Sequence, residues 1–191
     1  METGVSNGEF SGNPCTEWLS DKGGDRDMRV IAPFWYRDPA GRRWDVPSGT
    51  VVNGASIPRT LWSSVGSPFT GNYRRAALVH DAAVGTLGAQ RAEADTMFYF
   101  ACLCGGCAVL QSKLLYAGVR LGTWAASQHA FAMEALSNPP DGYRLPGQQS
   151  PHELELRARY TLLAHQLRTA SDDFDAIRQL VDRNLGAPPG P

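Results

Sequence analysis

The segment from Arg74 to Val84 is the feature that most constrains how this chain can fold. It reads RRAALVHDAAV, so four apolar residues precede His80 and Asp81 and three follow them. A helix that is apolar on every side is buried against other elements. Neighbouring side chains on a helix point about 100° apart, so at least one member of this ionisable pair must lie in the interior. Burying an unpaired carboxylate is costly, and a partner or a bound cation offsets that cost.

Asp95 is the residue that we expect to meet His80. Glycines at 85 and 88 end the helix that carries His80, and a second helix is predicted to begin at Arg91. Alanines on both helices would let the two approach closely. A histidine that is oriented by a carboxylate through one ring nitrogen can take a proton on the other. These residues therefore predict that His80 is a general base and that Asp95 orients it.

The loop from Asn53 to Pro58, with the sequence NGASIP, is the second part of the predicted site. Carboxylate, amide and carbonyl oxygens are the ligands that Ca²⁺ prefers. Because Asp81 points away from the direction of His80, it could hold such a cation together with oxygens of this loop. The candidate metal ligands are Asp81, Asn53, Gly54 and Ser56.

A structural interpretation of the same helix stays open. Asp81 could pair with a nearby arginine, at position 74, 75 or 91, and His80 could be a satisfied core histidine. An HD-type phosphohydrolase would need an earlier histidine, yet the other three histidines all come later. Ser56 lacks the second glycine of a nucleophile elbow. The spacing of Cys102, Cys104 and Cys107 matches no usual zinc pair, so these cysteines are interpreted as small core residues of undetermined role.

The rest of the sequence predicts an α+β fold that is mainly helical, with a small N-terminal antiparallel β-sheet. A strand-like run from Met28 to Tyr36 and a turn at Asp38–Gly41 predict a β-hairpin region within residues 28–52. The helices of the site are expected at about 73–84 and 91–107. A third helix is expected from about Gln111 to Ala135.

The chain is predicted to consist of a core domain, a linker and a helical tail. The core domain covers residues 1–136, and the linker at 137–150 is rich in proline, glycine and glutamine. The tail at 151–191 is expected to form a C-terminal amphipathic helical hairpin, with an N-cap for its second helix at Ser171. It either covers the core or binds a partner, including a second copy, through residues 151–185.

Charge and hydropathy exclude several classes of partner. The net charge is −1 and no basic run is present, which argues against binding to nucleic acid. The most apolar run, from Met97 to Leu110, is shorter than the roughly 20 residues of a transmembrane helix. The first residues resemble no signal peptide. We therefore expect a cytoplasmic protein that would reach other compartments only by a non-classical route.

From about Phe34 to Trp124 the sequence resembles a family of bacterial and phage proteins known as domain of unknown function 1353. The shared motifs are a VP-G turn, a D-ASIPR loop, an alanine-rich helix ending in HD, and a later AD followed by F. In this chain they fall at Val46–Gly49, Asn53–Arg59, His80–Asp81, and Ala94–Asp95 with Phe98. This resemblance implies no activity.

The order of the loop, the HD helix and the following helix is also similar, more remotely, to bacterial phospholipase A2. The resemblance includes Pro68–Phe69 and the pattern of Asp95 with Phe98–Tyr99. It implies that His80 activates water, that Asp81 joins loop carbonyls in binding calcium, and that Asp95 orients the histidine. The chain departs from the enzyme family in lacking the tyrosine that follows the HD pair, in having Asn53 where aspartate is commoner, and in lacking a disulfide framework.

Taken together, the residues and the resemblances predict a metal-assisted hydrolase. The expected reaction is phospholipase A2-like hydrolysis of a lipid or another ester substrate, with Ca²⁺ as cofactor. Two alternatives remain. One is a non-catalytic phage-type or accessory interaction module on the same scaffold, and the other is a different metal hydrolase that acts on cell-wall material.

Overall fold

A computed structural model of the chain describes residues 6–19, 27–53, 57–66, 71–85, 90–128 and 149–186. The chain divides into two compact units, and each is described by itself. The first unit comprises residues 1–56 and 67–108, and the second comprises 57–66 and 109–191. The predicted α+β, mainly helical fold with N-terminal strands is confirmed.

The strands of the first unit form two small antiparallel sheets. One sheet has the order β1-β4-β5 and the other has the order β2-β3-β6. The strands are β1 (Glu9–Phe10), β2 (Thr16–Leu19), β3 (Asp27–Val30), β4 (Phe34–Arg37), β5 (Arg43–Val46) and β6 (Val51–Val52). Along β3 and β5, buried residues alternate with exposed ones, which is the pattern of strands that face a core on one side.

Strands β4 and β5 form the predicted hairpin. Arg37 lies opposite Arg43, and the turn between them closes with a 2.9 Å hydrogen bond from the Gly41 N–H to the Asp38 carbonyl. The run from Met28 to Tyr36, which the sequence predicted as one strand, instead forms β3 and β4 in different sheets. Pro33 lies between them and has no N–H to donate to a ladder, so the pairing stops there.

Two helices complete the first unit. Helix α2 (Arg74–Gly85) follows a short α1 (Trp62–Val65) that belongs to the second unit, and helix α3 (Arg91–Cys104) comes next. These bounds lie close to the predicted 73–84 and 91–107. Helix α2 packs against α3 and against β5 and β6. Its alanines are buried on several sides, as expected for a helix with no polar face.

The second unit is helical. After a 3₁₀ turn (Arg59–Leu61) and α1 it contains α4 (Val109–Gln128), α5 (Pro151–Leu167) and α6 (Phe174–Leu185). Buried residues from α5 and α6 form part of its core; they are Leu156, Tyr160, Leu163, Leu167, Ile177, Val181 and Leu185. The two predicted C-terminal helices are therefore present.

The start of α6 differs from the prediction by two residues. Its N-cap is Asp173, whose side chain accepts a 2.9 Å hydrogen bond from the Ala176 N–H. Ser171, the predicted cap, accepts instead from the Asp173 N–H at 3.1 Å. The expectation for Ser171 was wrong because an aspartate nearer the apolar stripe offers the stronger acceptor for the first turn.

Polar contacts fasten α4 within the second unit. Arg120 pairs with Asp182 of α6 at 2.7 Å, and both side chains are largely buried. The buried Lys113 donates to the Ala170 carbonyl at 2.8 Å and pairs with Asp172 at 2.7 Å. These two basic residues of α4 therefore hold α6 and the turn before it.

The predicted domain boundaries remain predictions. Residues 129–148, which include most of the expected linker at 137–150 and the end of the expected third helix, lie outside the described residues. Helix α4 groups with α5 and α6 in the second unit. Within the described ranges, no helix is both long enough and apolar enough to cross a membrane.

Candidate functional site

His80 and Asp95 meet within the first unit. His80 lies on α2 and Asp95 lies in the early part of α3, and the distance between His80 Nε2 and Asp95 Oδ1 is 2.8 Å. Each side chain is only 1% exposed. The structure thus brings together the two residues that the sequence predicted as base and orienter, at the seam between two packed helices.

Phe98 is a second contact of the imidazole. It follows Asp95 by three residues on α3, so both side chains lie on one face of that helix. The ring centroids of His80 and Phe98 are 5.1 Å apart, and the planes are tilted by 51°. A hydrogen bond at the ring edge together with an aromatic contact restricts rotation of the imidazole. The sequence analysis named Phe98 only as part of a motif; its three-residue spacing from Asp95 was the signal for a site role.

The hydrogen bond to Asp95 bears on which nitrogen of His80 carries the proton. An ionised carboxylate only accepts hydrogen bonds, so Nε2 carries the proton in the state with ionised Asp95. The lone pair then lies on Nδ1, which is the nitrogen that would take a proton from a reacting group.

The neighbouring carboxylate has a different environment. Asp81 follows His80 directly, yet it is partly exposed whereas His80 is buried. This difference agrees with the expectation that one member of the pair faces the interior and the other turns away. Asp81 is therefore accessible from solvent beside a buried histidine–carboxylate pair.

Part of the predicted metal loop can be placed. Asn53 is exposed and directly follows β6, a strand that packs against α2, the helix of Asp81. Gly54 and Ser56 lie outside the described residues. Within the described part of the chain, no group of three or more His, Cys, Asp or Glu side chains is arranged to hold a metal ion. Among those residues, a cation beside Asp81 would therefore need further ligands such as amide or carbonyl oxygens or water.

Comparison with known proteins supports the first of the two resemblances. Residues 28–119 match the model of a family described as protein of unknown function, DUF1353. This segment contains β4, all of β3 except Asp27, and α2, α3 and the His80–Asp95 pair. No finding supports a likeness to phospholipase A2, so that resemblance remains a prediction.

Two relatives are uncharacterized proteins of Sinorhizobium fredii. The chain is 34% identical to y4jT over 113 residues, which cover 57% of this chain and 32% of that protein. It is 33% identical to y4iH over 132 residues, which cover 69% of this chain and 49% of that protein. The chain thus spans less than half the length of either relative. No solved structure matches the chain.

Proposed function

We propose that this protein, whose residues 28–119 match the DUF1353 family model, is a hydrolase with His80 as its general base. The observation that carries the proposal is the 2.8 Å hydrogen bond between His80 Nε2 and Asp95 Oδ1. A histidine paired with a carboxylate is a recurring arrangement for activating water near neutral pH. We propose ester hydrolysis of the phospholipase A2 type as the reaction.

In the proposed reaction, Nδ1 of His80 takes a proton from water as the water oxygen attacks the ester carbonyl carbon. Asp95 stabilises the resulting imidazolium through Nε2, and Phe98 limits rotation of the ring. The proton then passes from Nδ1 to the departing alkoxide, which leaves as an alcohol. General acid–base catalysis of this kind contributes a factor of about 10²–10⁴ to rates.

We propose Ca²⁺ as the cofactor, held by Asp81 with Asn53, Gly54 and Ser56. The donor chemistry of the two described residues fits, because a carboxylate and an amide oxygen are hard ligands. When bound, the ion would polarise the ester carbonyl and stabilise the developing oxyanion. Asp81 is suited to this role because it adjoins His80 but is partly exposed.

Hydrolysis of phospholipid vesicles tests the proposal. The intact protein is expected to release fatty acid in the presence of calcium, and His80→Ala is expected to lower the rate by a factor of about 10² or more. His165→Ala, at an exposed histidine of α5 in the second unit, is the matched control and should leave the rate unchanged. Equal rates for the intact protein and His80→Ala would overturn the proposal.

Calcium binding is tested separately by thermal unfolding. A ligand that binds only the folded state raises the melting temperature, so calcium is expected to raise that of the intact protein. Asp81→Asn should abolish the increase. Asp175→Asn, at an exposed carboxylate of α6, should preserve it. The metal site is wrong if calcium, zinc and manganese all leave the melting temperature of the intact protein unchanged.

Burial of the pair favours a second candidate function. His80 and Asp95 are each only 1% exposed, and a hydrogen bond between two buried side chains is also how a protein fastens one helix to another. On this basis the protein would be a non-catalytic phage-type or accessory interaction module. In that case the intact protein would release no fatty acid, whereas His80→Ala would still lower its stability.

A further inference from the structure

The carboxyl end of α3 closes in a Schellman motif. The Cys107 N–H donates to the Cys102 carbonyl and the Gly106 N–H donates to the Leu103 carbonyl, each at 3.0 Å. Gly106 has a φ of 94°, the left-handed conformation that this motif requires and that glycine adopts without strain. The two nested hydrogen bonds reverse the chain directly after the helix.

This motif places Cys102 and Cys107 side by side. In a Schellman motif the side chains at the two ends of the longer hydrogen bond frequently make a hydrophobic contact. Here both positions carry thiols, and each thiol lies close enough to act on the pKa of the other. Cys102 is fully buried and Cys107 is 6% exposed. The third cysteine of the run points elsewhere, since Cys104 Sγ donates to the Gly8 carbonyl at 3.3 Å.

We propose that Cys102 and Cys107 form a redox-active dithiol that closes into a disulfide on reaction with a low-molecular-weight disulfide. A disulfide requires Cα atoms within about 7 Å of each other and side chains that point together. The nested hydrogen bonds, one of which joins the backbones of Cys102 and Cys107 directly, draw the two residues together across the turn. Each thiol lies close enough to act on the pKa of the other. This proposal is independent of the His80–Asp95 site and of any hydrolytic activity.

The two thiols differ in a way that assigns their roles. Burial, together with the neighbouring Cys107 thiol, raises the pKa of Cys102 well above its usual range. The neighbouring Cys102 thiol lowers the pKa of Cys107. The thiolate is the nucleophile in disulfide exchange, so Cys107 attacks first and Cys102 resolves.

The exchange proceeds in two balanced steps. The Cys107 thiolate attacks one sulfur of glutathione disulfide, which forms a mixed disulfide and releases one glutathione thiolate. The Cys102 sulfur, as it loses its proton, attacks Cys107 Sγ in the mixed disulfide and releases the second glutathione. Two protein thiols are oxidised, one glutathione disulfide is reduced, and the two thiol protons end on the two glutathione molecules.

Equilibration of full-length variants in glutathione redox buffers tests the proposal. The double variant Cys15→Ser/Cys104→Ser retains only the proposed pair. Its matched control, Cys15→Ser/Cys102→Ala, retains Cys104 and Cys107 instead. The disulfide is measured by mass spectrometry on the tryptic peptide that runs from Ala92 to Lys113 and contains Cys102, Cys104 and Cys107. Each sample is equilibrated both in buffer and in urea.

For the proposed pair, the equilibrium constant for disulfide formation should be about tenfold or more larger in the folded chain than in urea, because the motif holds the thiols together. The control pair should show no such increase. The proposal fails if the constant of the proposed pair is the same in buffer and in urea, or if the control pair gains as much on folding. Even if the control variant does not fold, the comparison between buffer and urea shows whether folding favours the Cys102–Cys107 disulfide.

Discussion

Replacing Asp95 by alanine is expected to lower the free energy of unfolding by about 3 kcal/mol. The carboxylate is fully buried and bonds to a histidine that is equally buried. Without it, the N–H of Nε2 loses its acceptor where water does not reach. Urea unfolding followed by circular dichroism measures the loss. Glu93→Ala on the same helix, which breaks an exposed ion pair with Arg42, should cost only about 0.5 kcal/mol.

Asp95→Asn separates stability from catalysis. The asparagine carbonyl can still accept the hydrogen bond from His80, so the loss of stability should be about 1 kcal/mol. The negative charge that favours the imidazolium is removed, however, so hydrolysis should fall by a factor of about 10² or more. An Asp95→Asn variant that remains folded and hydrolyses at the original rate would show that the charge of Asp95 does not assist catalysis.

For Asp95→Ala, a free energy of unfolding equal to that of the intact protein would contradict the structural role of the His80–Asp95 pair.

Leu163→Ala is expected to lower the free energy of unfolding by about 3 kcal/mol, through lost burial and the cavity that remains. Leu163 is only 1% exposed and contributes to the core of the second unit. Its neighbour Leu162 is 55% exposed and supplies a control of the same chemistry at the next position of α5. Leu162→Ala should change the free energy by no more than about 0.5 kcal/mol.

Urea unfolding, monitored by the helical signal, measures both leucine variants. A similar loss from both substitutions at low protein concentration would contradict the orientation of α5 in the structure. The comparison of Leu163→Ala with Leu162→Ala is also relevant to the prediction that the tail binds a partner. Leu154 and Leu162 are the large apolar residues that α5 leaves exposed.

Much of the candidate site could be predicted from sequence because it depends on local pattern. An apolar helix that contains a His-Asp pair must bury at least one of the two side chains. The spacing between His80 and Asp95 leaves room for a turn, so Asp95 on the next helix can reach His80. The Phe98 contact follows from the helical period once Asp95 is known to face α2. The extent of burial could not be predicted, because a spacing does not reveal how many other side chains surround a pair.

The division of the strands and the arrangement of the cysteines, by contrast, could not be predicted from the sequence. The run from Met28 to Tyr36 has continuous strand character, and sequence could not show that Pro33 divides it between two sheets. The spacing of Cys102 and Cys107 matched no metal motif and was interpreted as small core residues. Their contact depends on a left-handed Gly106 and two nested hydrogen bonds, and such a backbone conformation cannot be read from spacing alone.

The sequence by itself determined the class of the fold, most helical segments, and the burial of at least one member of the His80–Asp81 pair. These properties follow from the spacing of apolar residues along the chain. The tertiary structure decided which nitrogen of His80 meets Asp95, how little of either side chain reaches solvent, and which two of the clustered cysteines are joined by a backbone hydrogen bond. Such properties depend on atoms from segments that are distant along the chain or on the handedness of a single turn. Apolar patterning selects which face of an element is buried, but only packing and hydrogen bonding select the partner that each buried polar group receives.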